Sequence, residues 1–72
     1  MIKEYCRVEQ THIGSILDAE DQYGTWHIAV VIEEKSSSTK QERKLHFLPY
    51  KNSSRDEVFT EEDSNRIAPI FT

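Results

Sequence analysis

The sequence predicts a mainly β fold: a small, strongly bent barrel of five short strands, with one short helical turn near its carboxy terminus. Three observations lead there. Apolar residues are gathered into short runs rich in β-branched and aromatic side chains. Polar, turn-forming segments separate those runs. No stretch sustains a 3.6-residue apolar period over three turns. The chain has 72 residues, enough for one domain, and at this size a fold buries only roughly 60% of the surface its unfolded chain exposes. Closing short strands into a barrel removes most free edges. So thin a core favours a surface groove over a deep pocket.

Each element follows in order. Residues 1–12, MIKEYCRVEQTH, mix Tyr5, Arg7 and Gln10 with Ile2, Cys6 and Val8, and read as an amino-terminal arm or edge strand. Residues 13–72 form the barrel. IGSILDAED carries Ile13, Ile16 and Leu17 and reads as a short strand. DQYGT is a turn, because Gly24 accepts a positive φ and the Asp and Gln side chains favour loops. Residues 25–34, TWHIAVVIEE, are the strongest strand. KSSSTKQER reads as a flexible polar hairpin loop. KLHFLPY is a strand with Leu45 and Phe47 on one face and His46 and Leu48 on the other, stopped by Pro49, which cannot donate to a ladder. KNSSR is a loop and DEVF a short strand. Thr60, followed by Asp63, signals about one helical turn, and IAPIFT ends the chain as an extended piece. A barrel of the SH3-like kind satisfies this order.

Composition narrows the function. The single cysteine, Cys6, rules out an internal disulfide, and with no signal-peptide core or apolar run near 18 residues the expectation is an intracellular protein from a reducing compartment, with no membrane segment. A net charge of −4 disfavours a general phosphate-binding surface, so nucleic acid is a minor alternative that rests on the basic loop 35–44, with Lys35, Lys40, Arg43 and Lys44. Catalytic groupings are poor. His12, His27 and His46 lack metal-type spacing to one another or to Cys6. The acidic groups Glu33–Glu34, Asp56–Glu57 and Glu61–Glu62–Asp63 are sequence neighbours; on a strand such neighbours point to opposite faces and make no acid/base couple. The chain therefore reads as a non-enzyme with no catalytic residue, metal or cofactor. Asp56 and Glu57 read as structural, accepting from nearby backbone N–H groups or pairing with Arg66, which would clamp the carboxy-terminal segment.

The segments D-x-x-G-x-W-H-I-A-V-V-I-E, L-H-F-L-P-Y, R-D-E-V-F and D-S-N-R-I-A-P, in that order, resemble the Tudor-knot and chromo-barrel group of SH3-like barrels. The resemblance covers about residues 13–70. It implies a binding module of chromatin-associated, nuclear proteins, whose partner is a protein or peptide such as a methylated histone tail. Members of that group hold methyl-lysine in an aromatic cage, where ring faces attract a desolvated quaternary ammonium. Matched by position, the cage places fall at His27, Phe47 and Tyr50, with Tyr23 leaning over the same mouth. Two positions depart from the pattern. Val58 replaces the tryptophan of D-E-W, and Arg55 stands where cage-forming relatives have an aromatic; an arginine there repels a cation. Each ring also has a plain packing reading, strongest for Trp26 and Phe47.

The resemblance also sorts the uninterrupted run Ile28–Ala29–Val30–Val31–Ile32. Ala29 and Val31 match the inward, small or apolar places of the group. Ile28 and Val30 match outward places that are typically charged. They are candidates for a partner interface, covered by the amino-terminal arm, by a second copy in a homodimer, or by docking within a larger polypeptide. The arm is the favoured cover, since Tyr5, Cys6 and Val8 otherwise have nowhere to pack.

Overall fold

A computed structural model describes residues 5–70. Five strands, β1 (Ile16–Glu20), β2 (Trp26–Ser36), β3 (Gln41–Phe47), β4 (Glu57–Thr60) and β5 (Ile67–Ala68), form one antiparallel sheet in the order β4-β3-β2-β1-β5. The sheet curls into a half-barrel consistent with a small SH3-like barrel. Among the described residues three short 3₁₀ turns are present, Val8–Gln10, Ser53–Arg55 and Glu61–Arg66, where one helical turn was expected. None of the described helices is long and apolar enough to cross a membrane.

The hairpin between β2 and β3 corrects the loop reading of KSSSTKQER. The two strands stay paired to Ser36↔Gln41, and only residues 37–40 turn. The cross-strand partners explain this. Glu33 faces Lys44, Glu34 faces Arg43 and Lys35 faces Glu42, so opposite charges sit directly across the ladder, which favours pairing. A register shift between Val31 and Glu33 leaves Ile32 as the extra residue of a bulge. Alternation breaks in the sequence at the place where the strand bends.

The inner face is Leu17, Ala19, Ala29, Val31, Leu45, Phe47, Phe59 and Ile67, all buried. Ala29 and Val31 point inward as expected. Two inner positions are alanines, so the concave face needs a filler from outside the sheet. The arm supplies it: Val8 is fully buried in this cluster, its turn packs on β3 and on the third 3₁₀ turn, and its N–H donates to Ser64 Oγ at 3.2 Å. The Cys6 N–H donates to the Ile67 carbonyl at 3.0 Å. Burial pushes the Cys6 thiol up from its ordinary range.

The described part of the arm, from Tyr5 onward, does not provide the expected cover for Ile28; residues 1–4 of the arm lie outside the described residues. Among the described residues the arm plugs the concave side, and it meets the convex one where the Tyr5 ring faces Trp26, at a centroid distance of 6.4 Å. Val30 is half-buried, while Ile28 stays 47% exposed, beside Ile16 at 55% and Leu48 at 48%. Register joins them into one ridge, through Ile16↔Val30 and the Leu48 N–H bond to the Ile28 carbonyl.

Arg43 fastens the arm. It lies on the inner face, in step with Leu45 and Phe47, and is only 2% exposed. Nε donates to the Thr11 carbonyl at 2.8 Å, Nη1 to the Glu42 carbonyl at 2.9 Å, and Nη2 to Gln41 Oε1 at 3.1 Å. Glu34 lies 3.9 Å away. A planar fork suits this set of acceptors, and lysine would not reproduce it. Hydrogen bonds to a charged group are worth about 1.5–3 kcal/mol each when net gains are counted. We expect Arg43→Met to lower the unfolding free energy by about 2–4 kcal/mol in a urea titration, and Arg43→Lys to recover less than half of that loss. An Arg43→Lys protein with the wild-type midpoint would show that fork geometry is not what matters.

Candidate functional site

The candidate residues come together at one end of the sheet, where the β1–β2 turn meets the segment between β3 and β4. Asp21 builds the first wall. Its N–H donates to the Thr25 carbonyl at 2.9 Å, and its carbonyl accepts from Gly24 at 3.1 Å. Its side-chain Oδ1 accepts from the Tyr23 N–H at 2.8 Å and the Thr25 N–H at 3.0 Å. This is the local side-chain-to-backbone pattern that makes Asp favourable in turns. Gly24 closes the turn at φ +83°, a conformation that other residues adopt only with strain. The result is a rigid turn with Tyr23 exposed at its tip.

The second wall follows β3. The chain turns at Pro49, with the Tyr50 N–H bonded to the Phe47 carbonyl at 3.0 Å. Asn52 then caps the 3₁₀ turn Ser53–Arg55, its Oδ1 accepting from the Ser54 N–H at 3.1 Å. That turn carries Arg55 back over the aromatic residues. The Arg55 guanidinium carbon lies 5.1 Å from the Tyr23 ring centroid and 5.2 Å from that of Tyr50. Both distances fall within cation–π range, where an exposed contact is worth about 0.5–1 kcal/mol.

His27 and Phe47 stand behind this pair. The His27 ring meets Tyr50 edge-on at 5.8 Å and Phe47 edge-on at 5.7 Å, while its Nε2 lies 3.0 Å from Asp21 Oδ2. Phe47 is 1% exposed and belongs to the core. All four sequence candidates are thus neighbours, but their roles divide. Tyr23 and Tyr50 present faces, His27 props Tyr50 and ties it to the Asp21 turn, and Phe47 is the floor. The arginine expected to repel a cation is itself the cation on the rings.

A second arginine holds the two walls together. Arg66 Nη2 donates to the Glu20 carbonyl at 2.7 Å and to Glu57 Oε1 at 3.1 Å, and Nη1 donates to Asp63 Oδ1 at 3.2 Å. Its guanidinium lies 4.6 Å from the Phe59 ring centroid. Burial alone would lower the Arg66 pKa; the bonds to Glu57 and Asp63 outweigh it and raise it. The other oxygen of Glu57 accepts from the Gln22 N–H at 3.1 Å, linking the two loops directly. The expected Glu57–Arg66 pair is therefore present, and Arg66 does clamp the segment leading into β5. Asp56 goes elsewhere, to His46 Nδ1 at 2.7 Å.

Sequence reasoning passed over Asp21 as a builder of the site, although an Asp ahead of Tyr-Gly-Thr is a legible turn signal. Among the described residues no three of His, Cys, Asp and Glu come together as a metal-holding group. Comparison of the chain with protein-family models, with curated proteins and with solved structures finds no match in any of the three.

The Asp21 carboxyl titrates below its ordinary value near 3.8. The Thr25 N–H is the largest cause, burial opposes it, and the Tyr23 N–H and His27 add to the lowering. A depressed folded-state pKa contributes stability that is complete above the unfolded value and is lost as pH falls through the folded one. Asp21→Asn should therefore be less stable than wild type at pH 7, with the gap between their urea midpoints narrowing by pH 3. A gap of equal size at both pH values would mean that charge is not what the turn uses.

Proposed function

We propose that the chain is a non-enzymatic protein-interaction module, of the Tudor-knot or chromo-barrel type that its sequence resembles, which takes a peptide by a cationic side chain at the Tyr23–Tyr50 mouth. The observation that carries this reading is the placement of a guanidinium against two tyrosine faces on a rigid rim. The rings there are oriented to hold a cation, and one from a partner would meet the same surface. The resemblance points to a histone tail in a nuclear setting, with methyl-lysine as its ligand group. Titrating the protein with lysine- and arginine-bearing peptides in each methylation state, followed by NMR shifts, tests it. Tyr23→Ala and Tyr50→Ala should each weaken binding by about 2- to 5-fold, from the loss of one ring face. Unchanged affinity in both variants would remove the mouth from the binding site.

A second reading has its own observation, the uncovered ridge of Ile16, Ile28 and Leu48 beside Val30. Here the barrel is structural, and that face meets a second copy or docks in a larger polypeptide. Fully covering two such side chains is worth about 3–5 kcal/mol by area. Ile28→Glu should abolish any concentration-dependent mass increase in sedimentation and leave the fold intact, because the side chain already meets water. A monomer at every concentration tested would dispose of the homodimer.

Phosphate binding by residues 35–44 draws little support. Arg43 is buried, Lys40 lies 3.4 Å from Glu42, and Lys35 and Lys44 face Glu42 and Glu33 across the ladder.

A further inference from the structure

Arg55 is exposed, yet its guanidinium is shared between two rings carried by separate loops. The rings that meet this guanidinium are Tyr23 and Tyr50. His27 stands near-perpendicular to Tyr50 and Phe47 and is engaged by Asp21, and the Phe47 ring is closed off in the core. A methylated ammonium is rounded and needs several faces to enclose it; a guanidinium is planar and is served by two. The carboxylates that flank the mouth in sequence are also engaged: Asp21 with its turn and His27, Asp56 with His46, and Glu57 with Arg66 and the Gln22 N–H. The mouth therefore holds its cation chiefly by ring faces.

Resting on the peptide-binding reading above, we infer that Arg55 is a built-in competitor for the Tyr23–Tyr50 cleft, and that the side chain the cleft takes from a partner peptide is arginine, in preference to methylated lysine. The partner's guanidinium replaces that of Arg55. Because the Arg55 turn is short and exposed, the exchange requires only that its side chain swing out. Displacing two exposed ring contacts corresponds to about a 5- to 30-fold penalty on binding. Binding should also be little affected by salt, since the described carboxylates that flank the mouth, Asp21, Asp56 and Glu57, are already engaged.

The test compares wild type with Arg55→Ala. Three probes are used: a glycine-flanked arginine pentapeptide, the same peptide with trimethyl-lysine, and N-acetylarginine amide, with ring-proton shifts of Tyr23 and Tyr50 as readout. The expected result is that the arginine peptide binds Arg55→Ala about 5- to 30-fold more tightly than wild type, and more tightly than the trimethyl-lysine peptide binds that variant. Its affinity should change less than 3-fold between 50 and 200 mM salt, and it should be lost in Arg55→Ala/Tyr23→Ala. N-acetylarginine amide separates recognition of the side chain, where it shifts the same ring protons, from recognition of the peptide backbone, where it does not. That second pattern would overturn the inference. Equal affinity of wild type and Arg55→Ala would overturn the competitor role, and preference for trimethyl-lysine would overturn the arginine assignment, each leaving the module reading in place. Silence of both rings toward every probe in both proteins would overturn the module reading itself.

Discussion

The buried guanidinium of Arg43 is the interaction on which the rest of the molecule leans. It stands where a β-sheet normally places a hydrophobe, and it binds backbone carbonyls from the arm and the hairpin together with the Gln41 side chain. A buried charge is tolerated only when its donors are met. Here meeting them brings the Thr11 segment against β3, and that contact keeps Val8 in the concave face. Without the arm, a sheet with alanines at positions 19 and 29 would have a hollow where its core should be. The curl of the sheet and the position of the arm are therefore one problem with one solution.

A second arginine does comparable work beside the mouth. Arg66 gathers the Glu20 carbonyl, Glu57 and Asp63 over the Phe59 ring, and Glu57 passes the connection to the β1–β2 turn through Gln22. The two walls of the aromatic mouth are thereby held at a set separation, though Tyr23 and Tyr50 lie 27 residues apart in the chain. Loops carry binding residues well when a rigid frame fixes their ends. Arg55, exposed on a short turn, meets that frame through the two tyrosine rings.

The convex face has the opposite character. Ile16, Ile28 and Leu48 form a ridge with Val30 that no described segment covers. Patches of a few hundred Å² are ordinary on monomers, so the ridge alone does not demand a partner. Its position matters because it shares β2 with the mouth: His27 and Ile28 are sequence neighbours on opposite faces. A ligand at one face and a partner at the other would be separated by the thickness of one strand.

By itself the sequence determined the strands along the chain, the turns at Gly24 and Pro49, and that Leu45 and Phe47 share one face of their strand; the grouping of the aromatic residues was expected only from the resemblance. The strands, turns and shared face follow from local rules, namely period-two alternation, β-branched runs, and residues that suit or forbid particular backbone angles. The bulge at Ile32 was visible as a broken alternation but not readable as one, because an apolar run also fits a strand buried on both sides. Only the tertiary structure decided which side of the sheet the arm fills, that Arg43 leaves the polar hairpin for the core, and that Arg55 lies on the tyrosines instead of standing off from them. Each is a choice among long side chains with several reachable partners. That choice depends on which carbonyls or ring faces lie within reach once distant segments have met, and short-range pattern carries no record of it.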